Sequence, residues 1–260
     1  MSDNMKLKLM ELRQLMKAYD DSDDNEQSDQ QQGLPQPPLS KSSYGKKVIP
    51  LTRDFGTVVK NNSFLDLINS RTSKRKYTQE SITLDELAFL LWSTQGVKQV
   101  LGNNKATMRT VPSAGARHPF ETYILVNQVE GLSKGLYHYL ALEHKLEFIK
   151  EIDNQADRIT EATWGQAFLG NAAVDFIWTA VPYRCEWRYT MDAHKYILLD
   201  AGHVCQNLYL ASEAIGCGTC AIGAYEQTLT DALLNLDSKT SYDEADEFVV
   251  YLASVGKVES

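Results

Sequence analysis

The stretch Arg109-Thr-Val-Pro-Ser-Ala-Gly-Ala-Arg-His-Pro119 decides how the rest of the chain is read. Ser113, Ala114, Gly115 and Ala116 are consecutive small residues framed by Pro112 and Pro119. Side chains this short leave the backbone bare, so a flat ligand can approach it closely. Arg117 and His118 then stand at the edge of that surface as hydrogen-bond donors. Taken alone, the string also fits an ordinary Pro-bounded loop. The usual catalytic frames are missing around it: the sequence has no Walker loop, no G-x-S-x-G elbow and no H-E-x-x-H pair. Residues 216–223 (GCGTCAIG) have the wrong glycine spacing for a dinucleotide loop, and they follow a helical pattern where that loop would follow a strand.

Outward from the loop, the strongest periodic signal lies on its C-terminal side. From 194 to 215, Ile197, Leu198, Ala201, Val204, Cys205, Leu208, Ala211 and Ile215 recur at intervals of three and four, the spacing of one helix face. Tyr196, Leu199 and Tyr209 make the opposite face apolar too, which predicts a central helix, ended by Gly216 and Gly218. On the N-terminal side, residues 63–69 read as a short helix with Ser63 at its N-cap. Thr83 and Glu86 form a capping box before the apolar run 84–92, which closes near Gly96. Residues 122–127, 136–140, 145–150 and 173–181 read as strands, the last stopped by Pro182, with a short strand at 219–223, a helix at 228–236 and a closing strand at 247–255. Helices and strands mix without strict βαβ alternation. This predicts an α+β fold with a central antiparallel or mixed sheet flanked by helices.

Charge and composition exclude several functions. The 260 residues carry 34 acids, 26 bases and a net charge of -8. Asp20, Asp21, Asp23, Asp24, Glu26 and Asp29 crowd one stretch, and without them the charge is only -2. A nearly neutral body lacks the cationic surface that duplex nucleic acid or an anionic membrane face requires, so neither is expected as a partner. No apolar run approaches the roughly 18 residues of a membrane span, and the start lacks a signal-peptide core. Cys185, Cys205, Cys217 and Cys220 pair closely only at Cys217-Gly-Thr-Cys220. No metal site is expected, and the thiols read as buried and reduced in a cytoplasmic protein. Residues 5–18 form a candidate amphipathic helix, and 20–43, rich in Asp, Ser, Gln and Pro, read as a disordered linker. The expected division is thus 1–45, a helix and acidic, Pro-rich tail, and 46–260, the folded domain.

Three further clusters carry chemistry. Arg71-Thr-Ser-Lys-Arg75 brings two guanidiniums, a lysine and two hydroxyls into five residues, a set that can surround a phosphate or lie solvated on the surface. Residues 218–225 (GTCAIGAY) again bare their backbone N–H groups, and Val255-Gly-Lys257 places a cation after the closing strand.

Arg71-x-Ser73-x-Arg75, the PSAGARHP loop from Pro112, the helix containing Leu199-Asp-Ala-Gly-His203 and Gln206-Asn-Leu-Tyr209, and Cys220-Ala-Ile-Gly-Ala-Tyr225 occur in this order. That set resembles the nitroreductase superfamily of flavin enzymes, and within it the SagB-type dehydrogenases related to azoline oxidases, over about residues 60–258. The resemblance implies an FMN-binding α+β fold, a homodimer with flavin sites at the subunit interface, and the long helix at that interface. It implies that Arg71, Ser73 and Arg75 hold the phosphate and ribityl end, with Lys257 as a second phosphate cation. Pro112, Ser113, Ala114 and Gly115, with Arg117 at their edge, would lie against the isoalloxazine from the partner subunit. Gly223 would present its backbone N–H to flavin N5, with Ala221, Ile222 and Ala224 beside it. Such a donor stabilises changing charge at N5 without titrating, so no side-chain acid or base is needed for that step. Many nitroreductases carry an acidic residue where Gly223 stands, and the chain departs from them there.

The implied function is ping-pong hydride transfer through N5, fed by NAD(P)H, onto small nitro, quinone or enone acceptors. The alternative within the family is oxidation of azoline rings in a modified peptide. There Lys195-Tyr196 would match a Lys-Tyr pair, with Lys195 as base; without that role, Tyr196 packs in the core and Lys195 is solvated. An alternative of another class is a catalytically silent binding module that docks a protein partner through its N-terminal tail. His118, His138, His194 and His203 read as structural or substrate-edge residues, and Trp187 and Tyr189 as core or pocket wall.

Overall fold

The computed structural model describes every residue except 15, 18–26, 237–241 and 260. At its centre are seven strands in the order β1-β6-β5-β4-β7-β9-β8: β1 (Val48–Pro50), β4 (Phe120–Val126), β5 (Gly135–Leu140), β6 (Lys145–Lys150), β7 (Val174–Ala180), β8 (Cys217–Ile222) and β9 (Phe248–Lys257). Every neighbouring pair is antiparallel, so of the two expected sheet types the structure selects the purely antiparallel one. A separate hairpin, β2 (Val97–Leu101) with β3 (Ala106–Arg109), leads into the PSAGARHP loop. Sequence reading did not find that hairpin, β1, or the helices α4 (Gln155–Ala162) and α5 (Tyr183–Tyr189).

Strand periodicity divides the core. On β4 and β7, Phe120, Ile124, Val126, Phe176, Trp178 and Ala180 face one way; Tyr123, Leu125 and Ile177 face the other. The first face is covered by α3 (Leu84–Gln95) through Leu87, Leu90 and Leu91, and by α6 (Ala193–Ala214) through Ile197, Ala201, Val204, Leu208 and Ala211. Each Leu, Ile or Val among them taken fully from water contributes about 1.5–3 kcal/mol, which makes α6 a main anchor of the sheet. The second face is covered by α4 and α7 (Gln227–Leu233) through Ile159, Ala162 and Leu233. The expected caps are present: Ser63 accepts from Asp66 N at the start of α2 (Phe64–Ser70), and the Thr83–Glu86 capping box opens α3.

The expectation of a disordered linker over 20–43 is corrected for its second half; 20–26 lies outside the described residues. Residues 27–47 run over the part of the second sheet face where buried Glu121 and Glu147 project from β4 and β6. Gln30 N bonds Trp187 O, Trp187 Nε1 bonds Leu34 O, and Tyr183 Oη bonds Asp29. Lys41 donates its N–H to Glu121 at 2.6 Å and its ammonium to Glu247 at 2.5 Å. Ser43 and the N–H groups of Tyr44 and Lys46 bond Glu147. Composition fails here because the segment is ordered by carboxylates that other strands supply, not by apolar surface of its own. Helix α1 (Asp3–Gln14) overlaps the range predicted as 5–18, starts two residues before it and buries no residue; 15 and 18 lie outside the described residues.

Candidate functional site

Strand β8 is the edge of the sheet, and an edge strand offers unpaired backbone groups. The Arg71-Thr-Ser-Lys-Arg75 segment takes them up: Ser73 bridges Thr219 in parallel register, and Lys74 N donates to Thr219 O at 2.9 Å. The approach is close enough that a Cβ on Gly218 would sit 2.6 Å from the Lys74 side chain, so glycine is required there. Ser73 Oγ lies 2.9 Å from Tyr209 Oη, and the Arg71 guanidinium stands 5.2 Å over the Tyr209 ring. Arg75 lies over Phe168 and shares a hydrogen bond with the Cys220 thiol. Among the described residues neither guanidinium has a carboxylate partner. A cleft of about 430 Å³ runs beside Ser73 and Arg75. The sequence cluster is therefore one assembled group whose guanidiniums lack a carboxylate partner among the described residues.

The same strand carries the second predicted group. Ala221 is half-buried and its N–H donates to Tyr209 Oη at 2.9 Å, Ile222 is buried, and Gly223 and Ala224 are exposed just past the strand end. A Cβ built on Gly223 would meet nothing, so open space adjoins that backbone. Lys257 is already engaged: its ammonium lies buried 2.5 Å from Glu86 Oε1, and that carboxylate raises its pKa against the opposing effect of burial.

The PSAGARHP loop is braced from within. Gly115, Ala116 and His118 have φ of 53°, 54° and 46°, three left-handed positions interrupted by the right-handed Arg117, and of the three only glycine is unstrained. At Gly115 a Cβ would strike Tyr189 Oη at 2.5 Å. Asp200 of α6 accepts the N–H of Ala114 at 3.2 Å and a hydrogen bond from the Ser113 hydroxyl. Burial raises the Asp200 pKa, and these two hydrogen bonds oppose the rise. Arg117 is corrected: it does not stand at the loop edge as a free donor. It is 5% exposed, spends Nε and Nη2 on the carbonyls of Gly115 and Lys105, and lies against the Trp187 ring. His118 likewise bonds Thr107 O, and burial drops its pKa to about 3, which leaves a neutral brace. Pro112 and Gly115 stay exposed, with Ser113 and Ala114 half-buried, so the small-residue surface itself is open.

Helix α6 joins the two groups and also separates them. Asp200 holds the loop; Tyr209, two and a half turns later and about 13 Å along the axis, holds Ser73 and Ala221 from the opposite side of the helix. Within one chain the loop and the Arg71 cluster are not brought together. Between them α6 shows an outward stripe in which Leu198 is 65% and Leu199 55% exposed, beside Gly202, His203 and Gln206. Lys195 and Tyr196 are half-buried at the loop end, where Tyr196 packs edge-on to Tyr189 with ring centroids 4.9 Å apart. Sequence reading missed the linking roles of Tyr209 and Asp200. A tyrosine on a helix already read as apolar all round, and an aspartate beside the buried Ala201, were the available signals.

The nitroreductase family model matches residues 68–257. The chain is 32% identical over 161 residues to a nitroreductase-type protein of Methanocaldococcus jannaschii, covering 62% of this chain and 78% of that one. It is 28% identical over 141 residues to the trifolitoxin-processing protein of Rhizobium leguminosarum bv. trifolii, covering 50% of this chain and 36% of that relative. Among solved structures, a nitroreductase-type protein of Ralstonia eutropha JMP134 superposes with a TM-score of 0.65 at 24% identity, over 87% of this chain and 95% of the other.

Proposed function

The chain belongs to the nitroreductase family of oxidoreductases, and we propose that it works with bound FMN, fed by NAD(P)H, to reduce small nitro, quinone or enone acceptors. The observation that carries the proposal is the assembly along the edge of β8: Arg71 and Arg75, without a carboxylate partner among the described residues, with Ser73 at one end and the open backbone of Gly223 at the other. Two guanidiniums without an ion-pair partner among the described residues, beside a hydroxyl, suit a phosphate monoester dianion, although Glu259 also lines the cleft. When bound, FMN supplies reversible hydride acceptance at N5. The residues of this chain do the rest. Arg71, Ser73 and Arg75 hold the phosphate end; Ala221, Ile222, Gly223 and Ala224 line the ring edge, the Gly223 N–H serving as a donor that never titrates. Lys257, paired with Glu86, supports the site from beneath rather than offering a free charge.

Pro112, Ser113, Ala114 and Gly115 complete the site from a second copy of the chain, because α6 stands between the two halves within one copy. The exposed Leu198 and Leu199, and Phe64, Leu65 and Ile68 on α2, support a homodimer with α6 at its interface. The open floor at Gly223 suits flat donors and acceptors taken in turn, which is why the cofactor is better specified than the substrate.

The likeness to the trifolitoxin-processing protein favours a second reading, oxidation of azoline rings in a modified peptide, with Lys195 as the base. The two differ in who donates the hydride. Stopped-flow mixing of the FMN-loaded protein with NADPH and with NADH decides between them: rapid flavin bleaching is expected, and an unchanged spectrum with both would set aside the NAD(P)H-fed reading.

A further inference from the structure

We propose that Tyr209 is the positioning residue that turns the Ser73 hydroxyl outward as a donor and so prepares the anchor for the cofactor's phosphate. The inference rests on the FMN reading above. Three elements converge on this one side chain: the phenol oxygen accepts the N–H of Ala221 from β8 at 2.9 Å, meets Ser73 Oγ from the edge segment at 2.9 Å, and its ring lies under the Arg71 guanidinium at 5.2 Å.

The direction of the hydrogen bonds follows from proton counting. A backbone N–H can only donate, so at Ala221 the phenol oxygen acts as acceptor. The phenol has one proton to place, and among the described residues Ser73 Oγ is the one other polar group bonded to it. Either oxygen can donate across this contact, and the proposal assigns the proton to Tyr209, which donates to Ser73. Ser73 has then filled an acceptor site and keeps its own proton, and no other acceptor among the described residues takes that proton. The chain runs Ala221 N–H to Tyr209 Oη–H to Ser73 Oγ–H and ends in a donor that points away from the protein. Each bond polarises the next, and the terminal hydroxyl favours an anionic oxygen. The guanidinium on the ring face supplies the matching charge beside it.

The test uses Tyr209→Phe, which keeps the ring under Arg71 and deletes the hydroxyl. Its dissociation constants for FMN and for riboflavin, which lacks the phosphate, are read by quenching of flavin fluorescence in the purified dimer or monomer as it occurs. FMN binding is expected to weaken about tenfold in Tyr209→Phe, while riboflavin binding changes by less than about twofold. Ser73→Ala should lose a similar factor, and the double variant no more than Ser73→Ala alone, since the phenol acts through the hydroxyl. Thermal melting of each variant supplies the folding control. Equal FMN affinity in wild type and Tyr209→Phe, equal losses for FMN and riboflavin, or additive losses in the double variant would overturn the inference while the cofactor reading stands. A wild-type protein that takes up no FMN would remove both.

Discussion

Single side chains in this fold are constrained by what burial does to their protons. Asp175 sits on β7 with a fully buried carboxyl; Asn127 Nδ2 approaches one oxygen at 3.5 Å, and the other has no partner among the described residues. Burial therefore raises its pKa well above the ordinary carboxylate range and favours the neutral acid in the fold. A raised pKa means that the group's contribution to stability is complete below the unfolded value near 4 and is lost as pH rises through the folded one. Asp175→Asn mimics the neutral acid at every pH. It should raise the melting temperature at pH 8, by the equivalent of about 1–3 kcal/mol, and change it little near pH 4. A melting difference that is the same at both pH values would mean that the carboxyl is ionised in the fold. The cysteines follow the same rule in the direction that silences them: burial raises the pKa of Cys185, Cys205 and Cys217 to about 12, so none of the three is a thiolate at neutral pH.

Among the elements, α3 shows how one residue serves two structures. Glu86 accepts the Thr83 N–H to close the capping box and also pairs with Lys257 at the end of β9, with both side chains less than a tenth exposed. Removal of one partner leaves a buried charge without compensation, so Glu86→Ala should cost about 3–5 kcal/mol in chemical denaturation. Glu86→Ala/Lys257→Met should regain most of that loss; a double variant no more stable than the single one would assign the loss to the cap instead. The caps at Ser63 and Thr83 and the span of α6 were legible in the sequence because their signals are local: a hydroxyl at a fixed offset, an apolar repeat at three and four. Lys257 was legible as a cation after a strand, but the partner that engages it lies on a helix far back in the chain. Arg117 was legible as a donor, but the carbonyls it braces belong to its own loop and hairpin, so burial withdrew it from the surface. Nothing in residues 27–47 announced order, because Glu121, Glu147 and Glu247, which hold them, look from sequence like solvent-facing strand positions.

For the whole molecule the decisive relation is between two positions on α6, Asp200 and Tyr209. The order of the motifs, through the family it resembles, pointed to a flavin enzyme, yet it could not say that Asp200 and Tyr209 hold the two half-sites on opposite sides of one helix. That arrangement, with Leu198 and Leu199 bare between the halves, is what makes a second copy of the chain part of the proposed site. It also gives meaning to the near-neutral body: Arg71, Lys74, Arg75 and Lys76 concentrate its positive charge along one sheet edge. The most direct measurement is sedimentation of the protein with FMN, read at once for mass and for flavin bound per chain. The expected result is a dimer of the 29.3 kDa chain with one FMN per chain. Leu199→Asp should sediment as a monomer that has lost its flavin. A wild-type monomer that holds FMN, or a protein of either mass that binds none, would contradict the account.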